Sequence, residues 1–187
     1  MSARPKALLI TVGTTGFDSL IKVACSKAFV ETVASLQFSI VYMQYGSSAK
    51  EYDDEYYGKY NIRIVAFDYC DSLAGYIKNV DLVVGHAGAG TILDSLRAKR
   101  SLVVVVNESL MGNHQQEIAA AMAEKNYLLK ATPETLCSIL KQLPETVFTP
   151  YCVEENALCS YPDAQPQLFS SFLDKEMNFD SIVCFRG

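Results

Sequence analysis

Residues 82–96 read LVVGHAGAGTILDSL. Three apolar residues run into Gly85, Gly88 and Gly90, with His86 among them, and an apolar-periodic stretch follows. Glycine is costly inside an element because it loses the most backbone freedom on folding. It belongs where the chain turns sharply or where the backbone must come close to something. A strand that ends in a glycine turn and opens a helix predicts an anion held by backbone N–H groups at the helix N-terminus. His86, just past the strand end, can donate to a phosphate or a sugar, act as a base, or simply hold the loop by bonding to backbone. Asp94, one turn into the helix, can accept two hydroxyl hydrogen bonds, as from a ribose, or stand as a solvated acid.

Two further segments carry the same kind of signal. TVGTTGFDSL, residues 11–20, sets Gly13 and Gly16 around the hydroxyls of Thr14 and Thr15. It lacks the Lys-Ser/Thr pair of a P-loop and is not a G-x-G-x-x-G fingerprint, so alone it reads as a tight strand-to-helix turn. NESLMGNHQQE, residues 107–117, gathers Asn113, His114, Gln115 and Gln116 at the start of a helix. Amides and imidazole side by side suit neutral polyols, whose hydroxyls both donate and accept; Asn113 as a mere N-cap with surface glutamines is the plainer alternative. The sequence has no Asp-x-Asp metal-and-diphosphate motif and no G-x-S-x-G elbow. A diphosphate here must be neutralised by backbone dipoles and hydroxyls. No cofactor and no metal site are expected.

The elements that must position these residues alternate regularly. Strands are expected at 7–12, 38–46, 61–69, 81–85 and 101–107, with a short one near 127–130. Helices are expected from Asp18 with a break near Ser26, then over 72–80 with Asp71 as N-cap, 90–99, 113–126 ended by Asn126, and 133–143. Strands that are apolar throughout, each followed by a helix, define an α/β fold with a parallel sheet covered on both faces. Ligands of such sheets bind outside the carboxyl ends of the strands, so all three segments share one rim. Residues 1–145 form the expected binding domain. Residues 146–187 read as a proline-rich strap and a C-terminal helix, on which Phe169, Phe172, Leu173 and Met177 share one face.

Composition narrows the classes. Of 187 residues, 50% are hydrophobic and 20% charged, enough for a full core. A net charge of −5 argues against a general nucleic-acid binder. No run reaches the roughly 18 apolar residues of a membrane span, and the short apolar run at the N-terminus reads as the first strand rather than a signal peptide. Six scattered cysteines without a C-x-x-C pair fit reduced thiols in the cytosol, and two histidines make a structural zinc site improbable.

TVGTTGFDSLI, the long segment DLVVGHAGAGTILDSLRAKRSLVVVVNESLMGNHQQEIA and the spacing between them resemble the catalytic subunit of the UDP-N-acetylglucosamine transferase of asparagine-linked glycosylation. The likeness runs over about residues 6–143, whereas the ending NFDSIVCFRG has no counterpart in it. It implies the Rossmann-like, donor-binding half of a glycosyltransferase-B fold. It implies transfer of GlcNAc from UDP-GlcNAc, the donor substrate, to GlcNAc-diphosphate-dolichol, forming a β1,4 linkage with inversion. Carried over, Gly13, Thr14 and Thr15 lie near the diphosphate, and the turn from Phe67 to Tyr69 faces the uracil. Gly88, Ala89, Gly90 and Thr91 place N–H groups on the diphosphate, and Asp94 binds the ribose. Gln115 and Gln116 hold the GlcNAc hydroxyls, with Asn113 and His114 shaping that pocket. A membrane-anchored partner subunit supplies the acceptor half and recruits this chain to the cytosolic face of the endoplasmic reticulum. The general base lies on that partner or, as the weaker candidate, is His86. The face of Phe169, Phe172, Leu173 and Met177 is expected to bind the partner, the chain's own core, or both.

A non-catalytic nucleotide-sugar-binding module is the alternative; Asp94, Gln115 and Gln116 speak against it. A dinucleotide-dependent oxidoreductase would fit the sheet but lacks the fingerprint loop.

Overall fold

The computed structural model describes residues 4–106 and 119–143, and the backbone alone of 113–118. The strands are β1 (Lys6–Thr11), β2 (Phe38–Gln44), β3 (Arg63–Phe67), β4 (Leu82–His86), β5 (Ser101–Val105) and β6 (Leu129–Ala131). The helices are α1 (Asp18–Ala24), α2 (Lys27–Ser35), α3 (Glu55–Lys59), α4 (Ala74–Asn79), α5 (Ala89–Arg97), α6 (Asn113–Glu124) and α7 (Leu136–Gln142). All strand pairings are parallel, in the order β3-β2-β1-β4-β5-β6. This is the expected sheet.

The near-continuous apolar strands follow from burial on both faces. In β1, Leu8 and Ile10 enter one core with α1, α2 and α7, through Leu20, Ile21, Phe29, Val33, Leu136 and Leu140. Ala7 and Leu9 point the other way, into a core with Ile77 of α4, Ile92 and Leu96 of α5, and Ala119 of α6. The period of two sends alternate residues to opposite layers, so one strand feeds both cores.

Local signals set the joints. The break between α1 and α2 falls at Ser26, whose Oγ accepts from Phe29 N at 3.3 Å, a side-chain N-cap. Gln37, Asn61, Lys99 and Asn126 each take positive φ two residues beyond α2, α3, α5 and α6. Their N–H groups return to the last turn, and Ile62, Arg100 and Tyr127 add the longer bond to Tyr57, Ser95 and Met122. This left-handed exit satisfies orphan carbonyls and turns the chain toward the next strand. Asn126 thus ends α6 as expected.

Two expectations are corrected. Asp71 does not cap α4: the helix begins at Ala74, and Ala74 N donates instead to Ser72 Oγ at 3.2 Å. Residues 49–59, which carried no expected element, form a 3-10 turn (Ala49–Glu51) and α3. Tyr57 anchors α3: it is fully buried and donates through its hydroxyl to the Ala24 carbonyl at 2.8 Å.

Candidate functional site

The chain leaves β1 outward through β2 and β3, then recrosses to β4 on the far side of β1. The connections at the carboxyl ends of β1 and β4 therefore diverge and leave a crevice, the place where such sheets bind ligands. Register puts Gln44, Thr11 and Gly85 at one level, with Phe67 and His86 flanking them on β3 and β4. The residues singled out after β1 and β4 thus meet at one rim.

His86 sits between the two glycine loops. A Cβ on Gly13 would lie 2.3 Å from its Cε1, and a Cβ on Gly88 would lie 2.3 Å from its Nε2. Neither position accepts a side chain while the ring stays, and Gly13 also needs its φ of +75°. The imidazole is a brace that both glycines are shaped to admit. Its Nδ1 is buried with no hydrogen-bond partner among the described residues. Burial pushes its pKa below the ordinary 6.5, opposed by the Thr11 carbonyl, so the ring is neutral at physiological pH.

The second loop opens α5. Gly88 is its N-cap with extended torsions, φ −76° and ψ 125°, and no side chain caps the helix. The first intrahelical bond is Ile92 N to Gly88 O at 3.1 Å. The N–H groups of Ala89, Gly90 and Thr91 precede it and form an uncapped helix N-terminus beside His86. Ala89 and Gly90 are exposed, and Gly90 has open space where a Cβ would stand. Asp94 is exposed one turn further along and takes part in no ion pair among the described residues. In the first loop Thr14 and Thr15 are exposed.

The turn after β3 joins the same rim. Phe67 is engaged, its ring stacked on Tyr76 at 4.9 Å and its carbonyl accepting from Tyr45 N at 3.0 Å. Tyr69, by contrast, is 60% exposed. Asn113 begins α6, after the strand next to β4. The side chains of Asn113, His114, Gln115 and Gln116 lie outside the described residues, as do Phe169, Phe172, Leu173 and Met177 and the whole of 146–187.

Two buried polar residues went unread in the sequence. Gln44 ends β2, and its amide accepts from Thr11 Oγ1 at 2.5 Å and donates to Gly13 O at 2.6 Å and Asp68 O at 3.2 Å. Ser48 accepts from Phe17 N at 2.8 Å and donates to Asp18 Oδ1 at 2.6 Å, pinning the entry to α1. The signal for Gln44 was a lone amide closing a mostly apolar strand, where burial demands partners.

This arrangement of parallel sheet, switch-point crevice and glycine-lined helix N-terminus defines a Rossmann-like half-domain, and comparison with known proteins narrows it. The model of the glycosyltransferase family 28 C-terminal domain matches residues 7–157, and the chain belongs to that family. It is 32% identical over 172 residues to UDP-N-acetylglucosamine transferase subunit ALG13 of Yarrowia lipolytica, covering 92% of this chain and 84% of that protein. To the human subunit of the same name it is 35% identical over 131 residues, which is 70% of this chain but 11% of the human protein. A solution structure of ALG13 superposes with a TM-score of 0.60 at 24% identity, covering 90% of this chain and 94% of that one. MurG of Acinetobacter baumannii gives 0.57 at 21% identity, covering 80% of this chain and 43% of that one. The fold is thus the Rossmann-like half of a glycosyltransferase-B protein, as expected.

Proposed function

We propose that this chain is the donor-binding subunit of an inverting transferase that moves GlcNAc from UDP-GlcNAc to GlcNAc-diphosphate-dolichol, forming a β1,4 linkage in the assembly of the lipid-linked oligosaccharide for N-glycosylation. The supporting observation is the convergence of the Gly13 and Gly88 loops on neutral His86 beside the uncapped start of α5. Membership of the family, and the likeness to subunits named for UDP-N-acetylglucosamine transfer, supply the sugar.

In this reading the acceptor hydroxyl attacks the anomeric carbon of GlcNAc, the bond to the β-phosphate oxygen breaks, and UDP leaves. Negative charge grows on the β-phosphate. The N–H groups of Ala89, Gly90 and Thr91 and the hydroxyls of Thr14 and Thr15 stabilise it from fixed positions. Asp94 holds the ribose, the turn from Phe67 to Tyr69 the uracil, and Gln115 and Gln116 the sugar, with Asn113 and His114 shaping its pocket. The proton of the acceptor hydroxyl passes to a base on a membrane-anchored partner. That partner completes the cleft and brings this chain to the cytosolic face of the endoplasmic reticulum. No helix among the described residues is long and apolar enough to cross a membrane.

The test is GlcNAc transfer to a GlcNAc-diphosphate-lipid acceptor by the chain alone and with its membrane partner. Transfer only with the partner is expected. Transfer by the chain alone would refute the split site and make His86 the first candidate base. UDP-GlcNAc binding without transfer in either case, with the partner validated, would favour a binding module.

A further inference from the structure

We propose that Gln44 is a positioning residue that fixes the separation between the Gly13 loop and the turn at Asp68, so that the two ends of a uridine diphosphate are recognised as one unit. This rests on the donor-binding reading above. Gln44 is 3% exposed at the carboxyl end of β2, in register with Thr11 on one side and Phe67 on the other. Its Nε2 lies between two carbonyl oxygens, Gly13 O at 2.6 Å and Asp68 O at 3.2 Å. Two acceptors can face only a donor, which fixes the orientation of the amide and turns Oε1 to the Thr11 hydroxyl at 2.5 Å. The Thr11 hydroxyl in turn accepts from Gly13 N at 3.2 Å. The Gly13 peptides are thus held from both sides, directly and through Thr11.

These bonds are not needed to keep β3 on β2. The strand ladder does that, and Tyr45 N to Phe67 O at 3.0 Å and Gly46 N to Asp68 O at 3.2 Å extend it past the strand ends. What Gln44 adds, among the described residues, is a hydrogen-bonded link from the Asp68 turn to the Gly13 carbonyl across the end of β2. An amide at this depth is costly unless fully partnered. Its partners are segments that the donor reading puts at the uracil and the diphosphate. A ligand spanning both gains from each contact only if their spacing is preset.

The test uses the Gln44→Met variant of the full chain, which keeps the shape of the side chain and loses all its hydrogen bonds. UDP, uridine and inorganic pyrophosphate are titrated against wild type and variant by NMR. UDP affinity is expected to fall about tenfold while uridine and pyrophosphate each change by less than about twofold, a loss of coupling rather than of either subsite. Unchanged UDP affinity, or a UDP loss no larger than the combined losses for its two parts, overturns the role. If the Met variant does not fold, Gln44→Glu read across pH answers the same question. Its neutral carboxyl regains one donated bond, so UDP affinity relative to the two fragments should recover as pH falls; a flat ratio overturns the role. A wild-type chain that binds no UDP would refute the donor reading itself and this role with it, an outcome separate from a variant that binds as wild type.

Discussion

His86 shows how one side chain can set the geometry of two loops. Its ring fills the space that Cβ atoms of Gly13 and Gly88 would need, and burial keeps it neutral. In the unfolded chain the imidazole titrates near 6.5, and in the folded chain lower. Between those values the unfolded state binds more protons, so stability rises with pH. The contribution of the neutral ring is full above about pH 6.5 and is lost as pH falls through the lowered folded value. Denaturant unfolding between about pH 7 and pH 5 should show this slope in wild type and a shallower one in His86→Asn. Equal slopes would mean that the ring protonates in place without cost. The sequence put His86 on the rim and offered a base, a donor or a loop holder; only packing shows the brace, because its two glycine contacts lie far apart in the chain. Gln44 was hidden for the same reason, since its partners come from the ends of β1 and β3 and no spacing motif records them.

At the scale of elements, α5 separates backbone roles that its glycines share in sequence. Gly88 is pinned by the His86 ring, whereas Gly90 meets nothing within 4 Å and lies in the first turn of the helix. An alanine at Gly90 costs the fold no contact and removes backbone freedom from the unfolded chain, which should stabilise by up to about 1 kcal/mol. If the backbone here approaches a diphosphate, the same methyl group should weaken UDP binding. Gly90→Ala is therefore expected to raise the unfolding midpoint and lower UDP affinity together. A variant that gains stability and binds UDP as well as wild type would move the diphosphate away from this helix end. The strands and longer helices were legible because apolar runs of strand length alternate with helical spacing. Helix α3 was not: it has five residues and one buried side chain, Tyr57, so no period could form, and its anchor on Ala24 is tertiary. The start of α4 is not marked in the sequence because its N-cap position is Leu73, which has no side-chain acceptor, while Ser72 Oγ, two residues before the helix, accepts from Ala74 N.

For the whole molecule, the proposed function makes the described rim one wall of a site. The crevice between the β1 and β4 connections presents donor-type groups, and the matched family model describes a C-terminal domain, a part that elsewhere belongs to longer chains. If the enzyme is split as proposed, this chain needs a surface to hold its other half. The spacing of Phe169, Phe172, Leu173 and Met177 predicts an apolar helical face in residues 166–177, a stretch separate from every residue proposed to touch the donor. A charge in the centre of such a face should weaken capture by the partner about tenfold or more, the scale of an interface anchor, while leaving UDP binding by the chain unchanged. Phe172→Asp tests this with two readouts, co-purification with the proposed membrane partner and UDP titration of the chain alone. Loss of capture with UDP binding intact would place the face at the subunit boundary. Loss of both would place it on the donor domain's own core. Undiminished capture would remove it from the interface and turn attention to the rim itself, where the proposed mechanism requires the partner to deliver an acceptor hydroxyl to the sugar.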